Sequence, residues 1–297
     1  MAVGATSAPA HPDELRGIGL ALLAILIFGL MDAASKFLAT RYPVVQIVWL
    51  RFVFTIPLAL LVLPPRTALA RLRSGRLGLQ LVRSLILVIE IAVVVWCFGQ
   101  MPLADVHSLL ALTPLAVTAL SGPFLGEPVG PWRWAAVGVG FVGVLIILRP
   151  GLGVTQPAAL MALLAVLLYS IYQILTRIVG RVDSAETTLL WQLLVGAVVL
   201  GLLVPLVWQT PEPRHWPLFV VIAALGGVGH WAMIRALQLA PAATIQPFSY
   251  TLLVWAVVIG WLGFGDLPDL WTLVGAAAVV GAGIFTALRE HRLRGRA

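Results

Sequence analysis

Charge is what this chain has least of. Asp, Glu, Lys and Arg together make up 10% of its 297 residues, where a soluble protein carries about a quarter. A water-solvated fold is thereby excluded. Cysteine is nearly absent: Cys97 stands alone, so no intramolecular disulfide can form and a thiolate metal site is not expected. No HExxH pair, phosphate-binding glycine loop, Cys/His cluster or nucleophile elbow occurs. No enzyme is expected, and with it no catalytic residue, no metal site and no cofactor. Long polar stretches are missing too. Almost no surface outside a membrane is left for a partner, which argues against a receptor or scaffold.

What the chain has is hydrocarbon. Hydrophobic residues are 61% and the mean hydropathy is +1.02. Ten apolar segments of roughly bilayer-spanning length fall near 17–38, 43–63, 79–100, 102–122, 131–149, 157–178, 185–208, 216–239, 242–264 and 268–288. Proline starts or stops many of them, at Pro43, Pro64, Pro102, Pro131, Pro150, Pro157, Pro241 and Pro268, as suits a residue tolerated in a first helical turn and hostile to helix interiors. Residues 1–16 read as a polar, disordered tail without the features of a cleaved signal. Residues 289–297 read as a basic tail.

The net charge of +7 is distributed by side. With ten spans both termini share a face. That face collects Arg66, Arg71, Arg73 and Arg76, the tail arginines Arg289, Arg292, Arg294 and Arg296, and also Arg16, Arg133, Arg177 and Arg181. The opposite face has Arg41, Arg149 and Arg214, with Lys36 marking its interface. The positive-inside rule makes the first face cytoplasmic. Because these cations flank spans and carry no base-stacking aromatics, nucleic acid is not expected as a partner. Membrane lipid is.

The chain also repeats itself. Ala21–Lys36 (ALLAILIFGLMDAASK) echoes Ala162–Arg177 (ALLAVLLYSIYQILTR) at an offset of 141, with Phe28 matching Tyr169 and Lys36 matching Arg177. At an offset of 139, Pro102 matches Pro241, Gly126–Glu127 matches Gly265–Asp266, and Trp132 matches Trp271. Five spans per half is an odd number, so residues 17–149 and 157–288 form inverted copies. That is a transporter architecture, with a site between its repeats.

The stretch Ala236–Ala243 (ALQLAPAA), leading to Leu262–Asp266 (LGFGD) and Trp271, resembles the EamA repeat of the drug/metabolite transporter superfamily. Phe124–Glu127 (FLGE) is similar to the same motif in the first half, while Asp266 departs from the usual glutamate. In length and layout the chain is most similar to YddG-type exporters of aromatic amino acids. The resemblance implies an all-α basket: spans 1–4 and 6–9 surround a central cavity, and spans 5 and 10 brace it. Small residues at Ala136/Gly140 and Ala277/Gly281 are expected to let the braces approach closely.

Ionisable residues inside spans are costly and face a cavity or a partner. Asp32, Arg51 and Glu90 lie at similar depths in spans 1–3 and are expected to form a pair or triad. Such a group binds a zwitterionic substrate or carries a coupling proton, or else it pins three helices as an internal ion pair. Their counterparts in the second half are uncharged, Gln173 for Asp32 and Gln192 for Arg51. His230 in span 8 either titrates near neutral pH or hydrogen-bonds a helix carbonyl. His107 aligns with Gln246 as matched polar positions near opposite gates. Tyr169, Tyr172 and Gln173 are candidates for the second-half lining, and Trp96 and Tyr250 are further rings inside spans. Rings there suit a flat substrate, or simply pack. Arg83 and Arg235 are expected to snorkel to a helix end. Pro57, Pro114, Pro205 and Pro247, with Gly226, Gly227 and Gly229, supply either hinges or static kinks.

These features point to a bacterial inner-membrane secondary transporter, a monomer or weak dimer, working by alternating access. Export of aromatic amino acids is the favoured activity. A nucleobase, a sugar derivative or a quaternary amine is the alternative cargo.

Overall fold

The computed structural model describes residues 12–62, 72–125, 130–148, 157–240, 245 and 248–294. Proline opens many of the helices. Pro12 begins α1 (Pro12–Ala39) and Pro43 immediately precedes α2 (Val44–Val62). After α3 (Leu77–Gln100), Pro102 caps α4 (Leu103–Leu110), which is followed by α5 (Thr113–Leu125). Pro131 and Pro157 begin α6 (Pro131–Leu148) and α7 (Pro157–Val179). Next come α8 (Ala185–Leu203) and α9 (Trp216–Leu239), then α10 (Thr251–Phe264) and α11 (Leu270–Arg294). Among the described residues, seven spans are long and apolar enough to cross a bilayer, with α4 and α5 counted as one, and three shorter apolar helices accompany them. The protein is an all-α, multi-pass membrane protein.

Packing follows the internal repeat. The contact between α1 and α9 has its inverted counterpart in α3 against α7, and α2 meets α8 across the centre. The braces α6 and α11 lie side by side. They meet at two glycines. A Cβ on Gly143 would stand 2.7 Å from the Gly275 carbonyl oxygen, and one on Gly275 would stand 2.5 Å from that of Gly143. The expected small-residue contact therefore exists at different residues. Ala277 is exposed and Gly281 faces open space, while Gly140 accommodates Leu115 of α5.

Other boundaries also differ from expectation. Residues 12–16 belong to α1, because Pro12 and the acidic Asp13 suit a helix start. Span 4 is broken at Ala111–Leu112. Pro114 has no N–H for the Leu110 carbonyl, and Leu115 turns instead to Leu112. At the matching position of the second half, Tyr250 is a turn ahead of α10. Span 7 ends at Leu203 and continues as a 3-10 turn, Val204–Leu206, that contains Pro205.

Candidate substrate-binding site

Side chains from six helices converge at the middle of the bundle. Asp32 of α1 meets His107 of α4, with Oδ2 and Nε2 3.3 Å apart. His107 is buried, and its ring is tilted against Phe98 at 5.6 Å. Arg51 of α2 lies in the fields of Asp32 and Glu90, and Glu90 of α3 in those of Arg51 and Asp32. The three groups expected together are thus neighbours, with His107 as the direct contact of Asp32. Tyr169 of α7 joins them through Glu90 and Asp32 and stacks on Tyr172 at 5.6 Å. Tyr172 donates to Gln192 Oε1 at 3.1 Å.

The sixth helix, α9, brings His230. Its Nδ1 lies 3.1 Å from the Gly226 carbonyl, and its ring stands edge-on to Phe28 at 5.0 Å. The carbonyl-bonded reading of His230 is the one adopted. Phe28, Tyr169 and His230 are each only half-buried despite their central position, as residues facing an internal space are.

Glycines shape this centre. A Cβ on Gly226 would stand 2.8 Å from Arg51 Nε, one on Gly227 2.9 Å from Thr55, and one on Gly229 2.7 Å from Phe28. These three residues, read from the sequence as either hinge or static packing, let α9 approach α1 and α2. Thr55 closes that seam by donating to both the Arg51 and Ala223 carbonyls.

Polar ties between the two halves lie above and below the centre. At one end Lys36 binds Asp266 Oδ2 at 2.6 Å and the Met101 carbonyl at 3.3 Å. Lys36 is therefore a buried bridge between halves. Nearby, Gln46 and Gln209 exchange two hydrogen bonds, and Tyr42 Oη and His215 Nδ1 share a hydrogen bond at 2.7 Å. At the other end Asp183 accepts from Ser74, from the Gly75 amide at 2.9 Å and from Gln80 at 2.8 Å. Burial pushes the Asp183 carboxyl up, but these bonds outweigh it and hold the group below its ordinary value. Arg83 completes this end. Its guanidinium donates to Gln80, Thr176 and the Thr188 carbonyl and lies over the Tyr172 ring. Arg83 is 0% exposed, so it does not snorkel: acceptors from three helices already hold it inside.

Two stretches, 15–149 and 156–288, match the EamA-like transporter family. The chain belongs to that family. This EamA-like transporter is 29% identical to a riboflavin transporter of Vibrio cholerae, over 91% of each chain. It is 26% identical to an S-adenosylmethionine uptake transporter of Rickettsia felis, over 95% of this chain and 96% of the relative. It is also 26% identical to a pseudopaline exporter of Pseudomonas aeruginosa, over 89% and 93% of the two chains. A crystal structure superposes with a TM-score of 0.65 at 18% identity, covering 93% of this chain and 98% of the other, a likeness of fold. The protein is accordingly a metabolite transporter and not an enzyme.

Some expected site residues fall elsewhere in the transporter. Trp96 packs into the apolar cluster of Phe98 and Leu103. Tyr250 is buried with its hydroxyl directed at Gly283 of α11, where no Cβ would fit. Gln173 lies one turn from Tyr169 and is half-buried. Gln246 and Pro247 lie outside the described residues. Sequence reasoning missed Lys36–Asp266 as a bridge and Gly226 as the seat of Arg51. The ionisable residues inside spans, Asp32, Arg51 and Glu90, were the signal that located the centre; the match of Phe28 with Tyr169 marked the repeat.

Proposed function

We propose that this transporter carries a small, planar heteroaromatic metabolite across the bacterial inner membrane by alternating access, with both termini cytoplasmic. The observation that carries the reading is the convergence of Asp32, Arg51, Glu90, His107, Tyr169 and His230 from both repeats on one central locus. An ionisable group costs about 2.5–3.5 kcal/mol at the bilayer centre, and helices shaped only for packing would not gather several of them beside half-buried rings. Riboflavin and S-adenosylmethionine, named for two of the relatives, both contain a flat heterocycle. The arginine asymmetry supports the orientation. Export of an aromatic amino acid is the second reading, favoured by Arg51 lying in the fields of two carboxylates, a charge pattern that also suits a zwitterion.

Counterflow in proteoliposomes tests this. Vesicles loaded with unlabelled solute are given labelled riboflavin, S-adenosylmethionine or phenylalanine outside. Accumulation of either heterocycle above protein-free vesicles supports the first reading. Accumulation of phenylalanine alone replaces it with the second, and accumulation of none of the three contradicts both.

A further inference from the structure

Arg51 and His230 border the same turn of α9. The His230 ring faces the Gly226 carbonyl through Nδ1 at 3.1 Å. A carbonyl only accepts, so Nδ1 carries the hydrogen, an assignment made from the chemistry of its partner. In the neutral ring Nε2 is then a bare acceptor, and among the described residues it has no hydrogen-bond partner. The Arg51 guanidinium occupies the space that any side chain at 226 would fill: a Cβ there would stand 2.8 Å from Nε and 3.3 Å from both Cζ and Nη2. A fork of donors and a single acceptor therefore flank one glycine.

One aromatic ring from each repeat neighbours this centre. Phe28 meets His230 edge-on at 5.0 Å and an interplanar angle of 78°. Tyr169, its match in the other repeat, lies near Glu90 and Asp32, the carboxylates that also act on Arg51. A flat solute between repeats would find an aromatic side chain from each half, with the donor–acceptor pair at its rim.

Resting on the reading that this centre is the substrate site, we propose that His230 and Arg51 recognise a heterocycle by its hydrogen-bonding edge, His230 Nε2 accepting from a ring or exocyclic N–H and Arg51 donating to the adjacent carbonyl or ring nitrogen. The substrate class is a heterocycle with neighbouring donor and acceptor, such as an imide or aminopyrimidine edge. An unsubstituted aromatic ring has no such edge and would be rejected, because a buried polar pair left unmatched is costly.

The test uses the purified full-length protein and two pairs of probes: riboflavin with 3-methylriboflavin, which lacks the imide hydrogen, and S-adenosylmethionine with its N6,N6-dimethyl analogue. Binding is followed by flavin or protein fluorescence. In at least one pair the wild type is expected to prefer the unmethylated compound by about tenfold or more. His230→Phe should erase the preference by weakening the unmethylated compound, and His230→Gln, which keeps an acceptor, should retain it. Equal affinities within every pair that binds, or a preference that survives in His230→Phe, would overturn the assignment while leaving the transport reading standing. If the wild type binds neither pair, the proposal falls together with the reading beneath it.

Discussion

Gly226 has a role that follows from one missing atom. Adding a Cβ brings it within 2.8 Å of Arg51 Nε, so Gly226→Ala must displace a guanidinium that lies in the fields of Asp32 and Glu90. A displaced guanidinium leaves buried charges poorly compensated, at a cost of a few kcal/mol, so transport should fall about tenfold or more while the protein still folds; counterflow on protein recovered as a monodisperse peak in detergent checks this. The residue type was plain in the sequence and its purpose was not. Glycine in a span reads equally as flexibility or as close approach, and only the position of α2 separates the two. Asp32, Arg51 and Glu90 were legible because buried charge is rare enough to stand out. The contact of Asp32 with His107 was not, since it joins α1 to α4 across a long stretch of chain and is seen only once the helices are packed.

Helices in this bundle are held by close approach and by polar ties. Between α6 and α11, Gly275→Ala would drive a Cβ to 2.5 Å from the Gly143 carbonyl oxygen, and a main-chain oxygen cannot rotate away. Overpacking of this kind costs about 1–3 kcal/mol. A lowered thermal midpoint in detergent is expected for Gly275→Ala, whereas Gly281→Ala, facing open space, should leave it unchanged. The sequence marked both braces as Gly- and Ala-rich but not the register of their contact, which shifts from Gly140 and Gly281 to Gly143 and Gly275. At the tie of α3 to α7 and α8, Asp183 is held below its ordinary value. Its contribution is full above about pH 4, the unfolded carboxylate value, and is lost as pH falls through the lower folded value. Asp183→Asn should therefore lower the midpoint at pH 7, and the difference from wild type should shrink under acid. The break in span 4 was legible as Pro114, though a hinge and a static kink could not be told apart. The turn at Tyr250, in the matching place, is what the repeat implies.

At the scale of the whole molecule, the two halves clasp each other at both ends around a charged centre. Lys36–Asp266, Gln46–Gln209 and Tyr42–His215 close one end. Asp183 and Arg83 tie the other. Breaking one partner of a part-buried pair leaves a charge uncompensated, so Asp266→Asn should loosen the Lys36 end and expose the centre from that face. Exchanging the charges, with Lys36→Asp and Asp266→Lys together, should restore closure toward wild type; both effects are read as the rate at which an impermeant maleimide labels a cysteine placed at Phe28 from that face. The inverted repeat was readable from the echo of Ala21–Lys36 in Ala162–Arg177, but the pairing of Lys36 with Asp266 joins residues 230 apart and is seen only once the halves are docked. The most direct test of a single central site reached alternately from both faces is labelling at Phe28. A Phe28→Cys, Cys97→Ser protein would be treated with an impermeant maleimide in right-side-out and inverted vesicles, with and without whichever probe exchanges in counterflow. Labelling from both faces, slowed by that probe, is the predicted result. Labelling from one face alone, or at a rate the probe does not change, would contradict the account.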